Sequence, residues 1–89
     1  ESFINSLSFN DVHINTERKH NVSEKEAKEF ILNARLCIER MNGDALNFYC
    51  DDGVAYVRIG ENIIRTAFKH EEFTPEVLRL MEVLSKYGI

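Results

Sequence analysis

Eighty-nine residues, 44% hydrophobic, 10% aromatic and 29% charged, make one globular domain with a single modest core and no more. A net charge of −4 excludes a nonspecific DNA coater, which would be basic, and no apolar run approaches the length of a membrane-spanning helix. The chain opens on Glu1 with neither an initiator methionine nor a signal peptide. Residues 1–89 are therefore expected to be a single domain cut from a longer protein, or a processed one.

In chain order, Val12 and Ile14 alternate weakly within Asp11–Asn15 and suit a short edge strand. Thr16 to Asn21 has no apolar period and reads as a polar loop. Ser23 followed by Glu26 has the spacing of a capping box, the reciprocal bond between an N-cap hydroxyl and a carboxylate three residues on. Ala27, Phe30, Ile31, Ala34, Cys37 or Ile38, and Met41 follow at helical spacing, so the pattern predicts one helix from Glu24 to about Met41, stopped by Asn42–Gly43. A shorter helix ending near Asn33, with a strand through Leu36–Ile38, is the alternative. The period then changes. Leu46, Phe48 and Cys50 alternate with Asn47 and Tyr49 as a half-buried strand does. Asp51-Asp52-Gly53 signals a hairpin, Val54–Ile59 returns, Gly60-Glu61-Asn62 turns again, and Ile63–Phe68 is the next strand. Thr74-Pro75 pairs an N-cap with proline at the first helical position. Val77, Leu78, Met81, Val83 and Leu84 mark a last helix ending at Gly88. The expected fold is α+β: an N-terminal helix, an antiparallel meander of three to four strands and a C-terminal helix. Both helices would lie on one sheet face, leaving the other open.

If Leu46, Phe48, Ala55, Val57 and Ile59 face the helices, Asn47, Tyr49, Tyr56 and Arg58 share the open side. Tyr49 and Tyr56 would then offer rings on which bases stack, or simply stabilise a solvated sheet. The third strand is ambiguous, because either Thr66 or Arg65 can face the open side. Charge is unevenly spread: His13 to His20 carries Arg18 and Lys19 against Glu17, net +1, and Val54 to His70 carries Arg58, Arg65 and Lys69 against Glu61, net +2. All three histidines fall in these two stretches, compatible with a basic groove on an acidic body. RNA cleavage needs such parts. A ribose 2′-OH attacks phosphorus, a base removes its proton, an acid protonates the leaving oxygen, and cations or hydroxyls stabilise the phosphate charge. Histidine suits the proton steps and arginine the phosphate. No local ligand pair has structural-zinc spacing, so no metal or other cofactor is expected, and neither a glycine-rich phosphate loop nor a serine nucleophile elbow is present. Cys37 and Cys50, both among apolar neighbours, read as small buried thiols, or as a disulfide in an exported parent.

Val12-His13-Ile14, Arg18-Lys19-His20, the capped helix, Gly53-Val54-Ala55-Tyr56-Val57 and Ile64-Arg65-Thr66-Ala67-Phe68 together resemble the phage-barnase, EndoU, colicin and RelE-like (BECR) RNases. The likeness spans roughly Val12 to Phe68, and its most specific part is the front histidine with a later strand ending Thr-Ala-aromatic. It implies a metal-independent endoribonuclease, a toxin effector domain forming the C-terminal part of a larger protein, with a histidine and a hydroxyl in the cleft between front helix and sheet. Matched residue by residue, His20 is the general acid/base, with His13 competing, and Thr66 is the hydroxyl. Arg58 and Arg65 hold phosphate, Tyr56 or Tyr49 stacks on a base, and Lys19 and Lys69 assist binding. The implied partners are RNA, not DNA or a membrane, and a cognate immunity protein that plugs the groove. Two other readings compete: a non-catalytic phage or secreted-protein binding module of the same fold, and an acidic immunity or antitoxin protein.

Overall fold

The structure, a computed structural model, describes residues 2–87. Helix α1 (Ser2–Ser6) leads into strand β1 (Ser8–Phe9), a π-helical turn over Val12–Glu17 and helix α2 (Glu24–Leu32). Strands β2 (Leu36–Arg40), β3 (Ala45–Tyr49), β4 (Gly53–Arg58) and β5 (Ile63–Lys69) follow, and helix α3 (Pro75–Tyr87) closes the chain. The fold is α+β, as expected, but the sheet is mixed and five-stranded, in the order β1-β5-β4-β3-β2. Strands β2 to β5 form the antiparallel meander, and β1 adds in parallel to β5 through Ser8 opposite Ile63. The front strand therefore lies at Ser8–Phe9 and not within Asp11–Asn15, where Asp11 caps the π-helical turn and the rest is wound into it. The expected helix stop at Gly88 lies outside the described residues.

Helix α2 starts where the capping box puts it. Ser23 Oγ accepts from the Glu26 amide at 3.0 Å, and the Glu26 carboxylate accepts from the Ser23 amide at 3.0 Å. It ends at Leu32, not Met41. The Arg35 amide already donates to the Tyr49 carbonyl at 2.8 Å, and Leu36–Arg40 run as β2 against Tyr49–Ala45. The Asn42–Gly43 signal belongs to the link between β2 and β3, where Met41, Asn42 and Gly43 all take positive φ. The shorter-helix alternative is the one the structure adopts. The Thr74 hydroxyl accepts from the Val77 amide at 3.3 Å, as expected of the second cap.

Two apolar clusters lie on opposite faces of the sheet. Phe30, Ile31 and Ala27 of α2 pack with Ala55, Val57, Ile64 and Ala67 on one face. On the other, Phe73 and Met81 pack with Tyr49 and Val54, joined by Leu36, Ile38 and Phe68. The expectation of both helices on one face is thus corrected: α3 covers part of the face expected to be open. Its cover lies over the end of the sheet carrying Leu36, Tyr49, Val54 and Phe68, which are cross-strand partners. Two rows further along, Arg40, Ala45 and Arg58 stand in register on the same face. A concavity is left between the apolar end and the cationic one. Cys50 is buried, Cys37 is exposed on β2 rather than buried in a helix, and both are free thiols.

One consequence is testable in alkali. Burial first, and next the Tyr56 hydroxyl 3.5 Å away, push the Tyr49 phenol up to about 12. An unfolded tyrosine ionises at about 10, so between those values only the unfolded chain has lost the proton. Stability is full below about pH 10 and falls as pH climbs towards 12, by on the order of 2 kcal/mol. Tyr49→Phe is expected to remove that part of the slope when urea denaturation is followed at stepped pH.

Candidate active site

The irregularity that builds the site is a bulge in β5. Tyr56 pairs with Thr66 and the next residue, Val57, pairs with Ile64, so Arg65 has no partner on β4. Beyond the bulge the alternation inverts, which places Ile64 and Ala67, three residues apart, in the same core cluster. Arg65 and Thr66 consequently line the same side. The choice between them posed by the alternating pattern does not arise.

Two cavities adjoin on this face. One, of about 450 Å³, is lined by His13, Arg18, His20, Tyr56, Thr66, Phe68 and Glu72. The other, of about 330 Å³, includes Arg40, Met41, Arg58 and Arg65 and shares His13, Tyr56 and Thr66 with the first. Both histidines and the hydroxyl named from the sequence thus meet in one concavity. A concavity of about 520 Å³ between α1 and α2, lined by Ile4, Asn5, Glu24, Lys25, Lys28, Glu29 and Leu32, holds no histidine, hydroxyl or aromatic group.

The front segment holds its imidazoles from two directions. Ile14 is fully buried within the π-helical turn, and its neighbour His13 is left half-buried at the cavities. The Asn15 carboxamide then acts as a strand partner for Val22: it donates to the Val22 carbonyl at 2.7 Å and accepts from the Val22 amide at 2.8 Å. This closes the loop at its neck, and the His20 amide donates to the Ile14 carbonyl at 2.9 Å. His20 packs its ring on Phe68, centroids 5.3 Å apart, and its side chain is only 10% exposed. Its Nδ1 lies 3.0 Å from Glu72 Oε2 in the short helical turn after β5. The neutral ring donates from Nδ1 to that carboxylate, which leaves the Nε2 lone pair as its free basic site. His13 is arranged alike, with Nδ1 3.2 Å from Glu17 Oε1.

The remaining expected site residues divide. Tyr56 lines both cavities, half-buried, its ring edge-on to Phe68 at 5.7 Å. Tyr49, expected on the open side, is instead buried against Phe73 at 5.6 Å and presents no face for a base. Asn47 is buried too. Arg58 lines the second cavity but is tied to Asp44 at 2.7 Å, with Glu61 3.8 Å away. The Arg58 bond, reinforced by the Gly60 amide, holds the Asp44 carboxyl below the usual carboxylate range. Arg65 is 3.7 Å from Glu61. Lys69, at the end of β5, pairs with Gly53 of β4 on the α2 side and reaches Glu26 at 4.0 Å; it is not brought to the cavities, contrary to expectation. Lys19 is exposed in the loop and lines neither cavity, and His70 is likewise outside them, 3.4 Å from Glu71.

Glu72, Asn15, Arg18 and Arg40 were not singled out from the sequence. Arg18 stands within the quoted Arg-Lys-His string, whereas Arg40 was hidden inside an expected helix. Nothing local distinguishes Glu72 from its neighbour Glu71. Among the described residues no group of three His, Cys, Asp or Glu side chains is placed to hold a metal ion. Compared with models of known protein families, with curated proteins and with solved structures, the chain matches none.

Proposed function

We propose that this protein is an endoribonuclease that uses the ribose 2′-OH as nucleophile and needs no metal. The observation that carries the reading is the meeting of two carboxylate-oriented imidazoles and the Thr66 hydroxyl in one concavity floored by a half-buried tyrosine. His20 Nε2 takes the 2′-OH proton as O2′ bonds to phosphorus. The bond from phosphorus to O5′ breaks, and His13 protonates the departing oxygen. Thr66 donates to a non-bridging phosphate oxygen, and the arginines balance the charge that builds there. The products are a 2′,3′-cyclic phosphate and a free 5′-hydroxyl. A toxin effector role, with an immunity protein that covers the groove, belongs to the same proposal.

A non-catalytic binding domain of the same fold is the second reading, favoured by Arg58 being held in its pair with Asp44. Incubation of the purified protein with total RNA in EDTA separates the two. The nuclease reading expects fragments with cyclic phosphate ends, and intact RNA after prolonged incubation overturns it.

A further inference from the structure

We propose that Arg18 and Arg40 hold the substrate's phosphates, and that the substrate is a single-stranded RNA laid across the sheet between them. The inference rests on the RNA-cleaving reading and names the substrate form that the groove accepts.

Four guanidinium groups line the two cavities. Arg58 is bonded to Asp44, and Arg65 shares Glu61 with it, so both are already partly neutralised. Arg18 and Arg40 are exposed and have no carboxylate partner within ion-pair distance among the described residues. A guanidinium with its fork free is the better phosphate ligand, since it gives up no existing bond. The two also sit at opposite ends. Arg40 closes β2 at one edge of the antiparallel meander, and Arg18 stands in the loop that follows the π-helical turn packed against β5. From β2 to β5 is three strand spacings, about 14 Å. At the roughly 3.4 Å rise of a stacked strand that width spans up to about four nucleotides.

His13, Tyr56 and Thr66 are common to both cavities, so the reacting groups lie in the middle of the track and not at one end. Nucleotides must then occupy both sides of the cleaved bond, which is internal cleavage. Apolar surfaces for bases accompany the track: the Tyr56 ring, and Met41, 60% exposed at the link between β2 and β3. Bases reach such surfaces only when unpaired, which selects a single strand over a duplex.

The test uses fluorescein-labelled 2′-O-methyl RNA, which lacks the nucleophile and so reports binding alone, followed by anisotropy against salt. The wild-type protein is expected to bind a hexanucleotide more tightly than a dinucleotide or a duplex. Arg18→Ala and Arg40→Ala should each weaken the hexanucleotide roughly tenfold and lower the salt slope by about 0.7. Lys25→Ala, on α2, should change neither quantity. Absence of binding, unchanged affinity and slope in both arginine variants, or equal binding of the duplex overturns the proposal. Because the probe is not cut, tight arginine-dependent binding together with intact natural RNA would remove the nuclease reading and leave the binding track standing.

Discussion

Replacing His20 by glutamine is expected to slow RNA cleavage roughly a thousandfold, the usual loss when a positioned acid or base is removed. Glutamine keeps a polar group opposite Glu72 but offers no basic nitrogen. The side chain is nine-tenths buried and packs on Phe68, so the urea midpoint is measured beside the rate, and a thousandfold loss in a variant that still folds is the expected result. Glu72→Ala is the companion experiment. In the proposed reaction Glu72, 46% exposed, is a positioning residue that acts only through the imidazole. Its loss is expected to reduce the rate about tenfold and to mix the two His20 tautomers, visible in the imidazole nitrogen NMR shifts. A merely structural contact would leave the tautomer ratio unmoved. Wild-type cleavage by the His20 variant would show that another group takes the proton and would end the assignment.

Gly53→Ala is expected to cost about 3 kcal/mol, for reasons of space rather than backbone conformation. Gly53 opens β4, and its φ is not among the positive ones. A Cβ there would fall 2.5 Å from two ring carbons of Phe30 and 2.7 Å from the Phe68 carbonyl oxygen. Phe30 is buried in the α2 cluster, and the carbonyl belongs to β5 next to the Lys69 paired with Gly53. Neither yields without moving the helix or the strand. For a domain of this size the loss corresponds to a fall of roughly 15 °C in Tm. Adding Phe30→Leu should recover part of it by trimming the ring, while the carbonyl contact persists. A Gly53→Ala protein melting at the wild-type temperature would mean that α2 does not press on the hairpin as described.

The parts of the fold that were legible are those fixed by local chemistry. The Ser23 and Thr74-Pro75 caps and the period-two run through β3 and β4 depend on neighbours a few residues away, and each stands where it was expected. The end of α2 is ambiguous in the sequence because Ala34, Ile38 and Met41 continue the helical period while Leu36 and Ile38 also fit a strand's. Only the exposed edge of β3, which Leu36–Arg40 pair with, decides between them. The placement of α3 had a signal in the apolar character of Leu36, Ile38, Val54 and Phe68. It becomes readable only once the register puts all four on one face. The site was half visible. His13, His20, Thr66 and Tyr56 are reactive or aromatic groups whose types invited attention. The burial of Tyr49, the pairing of Arg58 and the freedom of Arg18 and Arg40 come from partners distant in the chain. A bulge is invisible to periodicity, which presupposes that no residue is skipped.

The carboxamide of Asn15 fastens the front loop at its base, and of the residues strung between Asn15 and Val22 it is Glu17, bonded to His13, and His20, set against Phe68 and Glu72, whose side chains add to the loop's anchorage. The side chains of Thr16, Lys19 and Asn21 bear none of that fastening, and Lys19 and Asn21 hold left-handed backbone that glycine would also accept. The spacing from Asn15 to Val22 is therefore the stringent requirement. The wording of the segment is loose, but its length is not: one inserted residue would displace the imidazole, whereas exchanging these side chains would redecorate the rim and leave the chemistry seated.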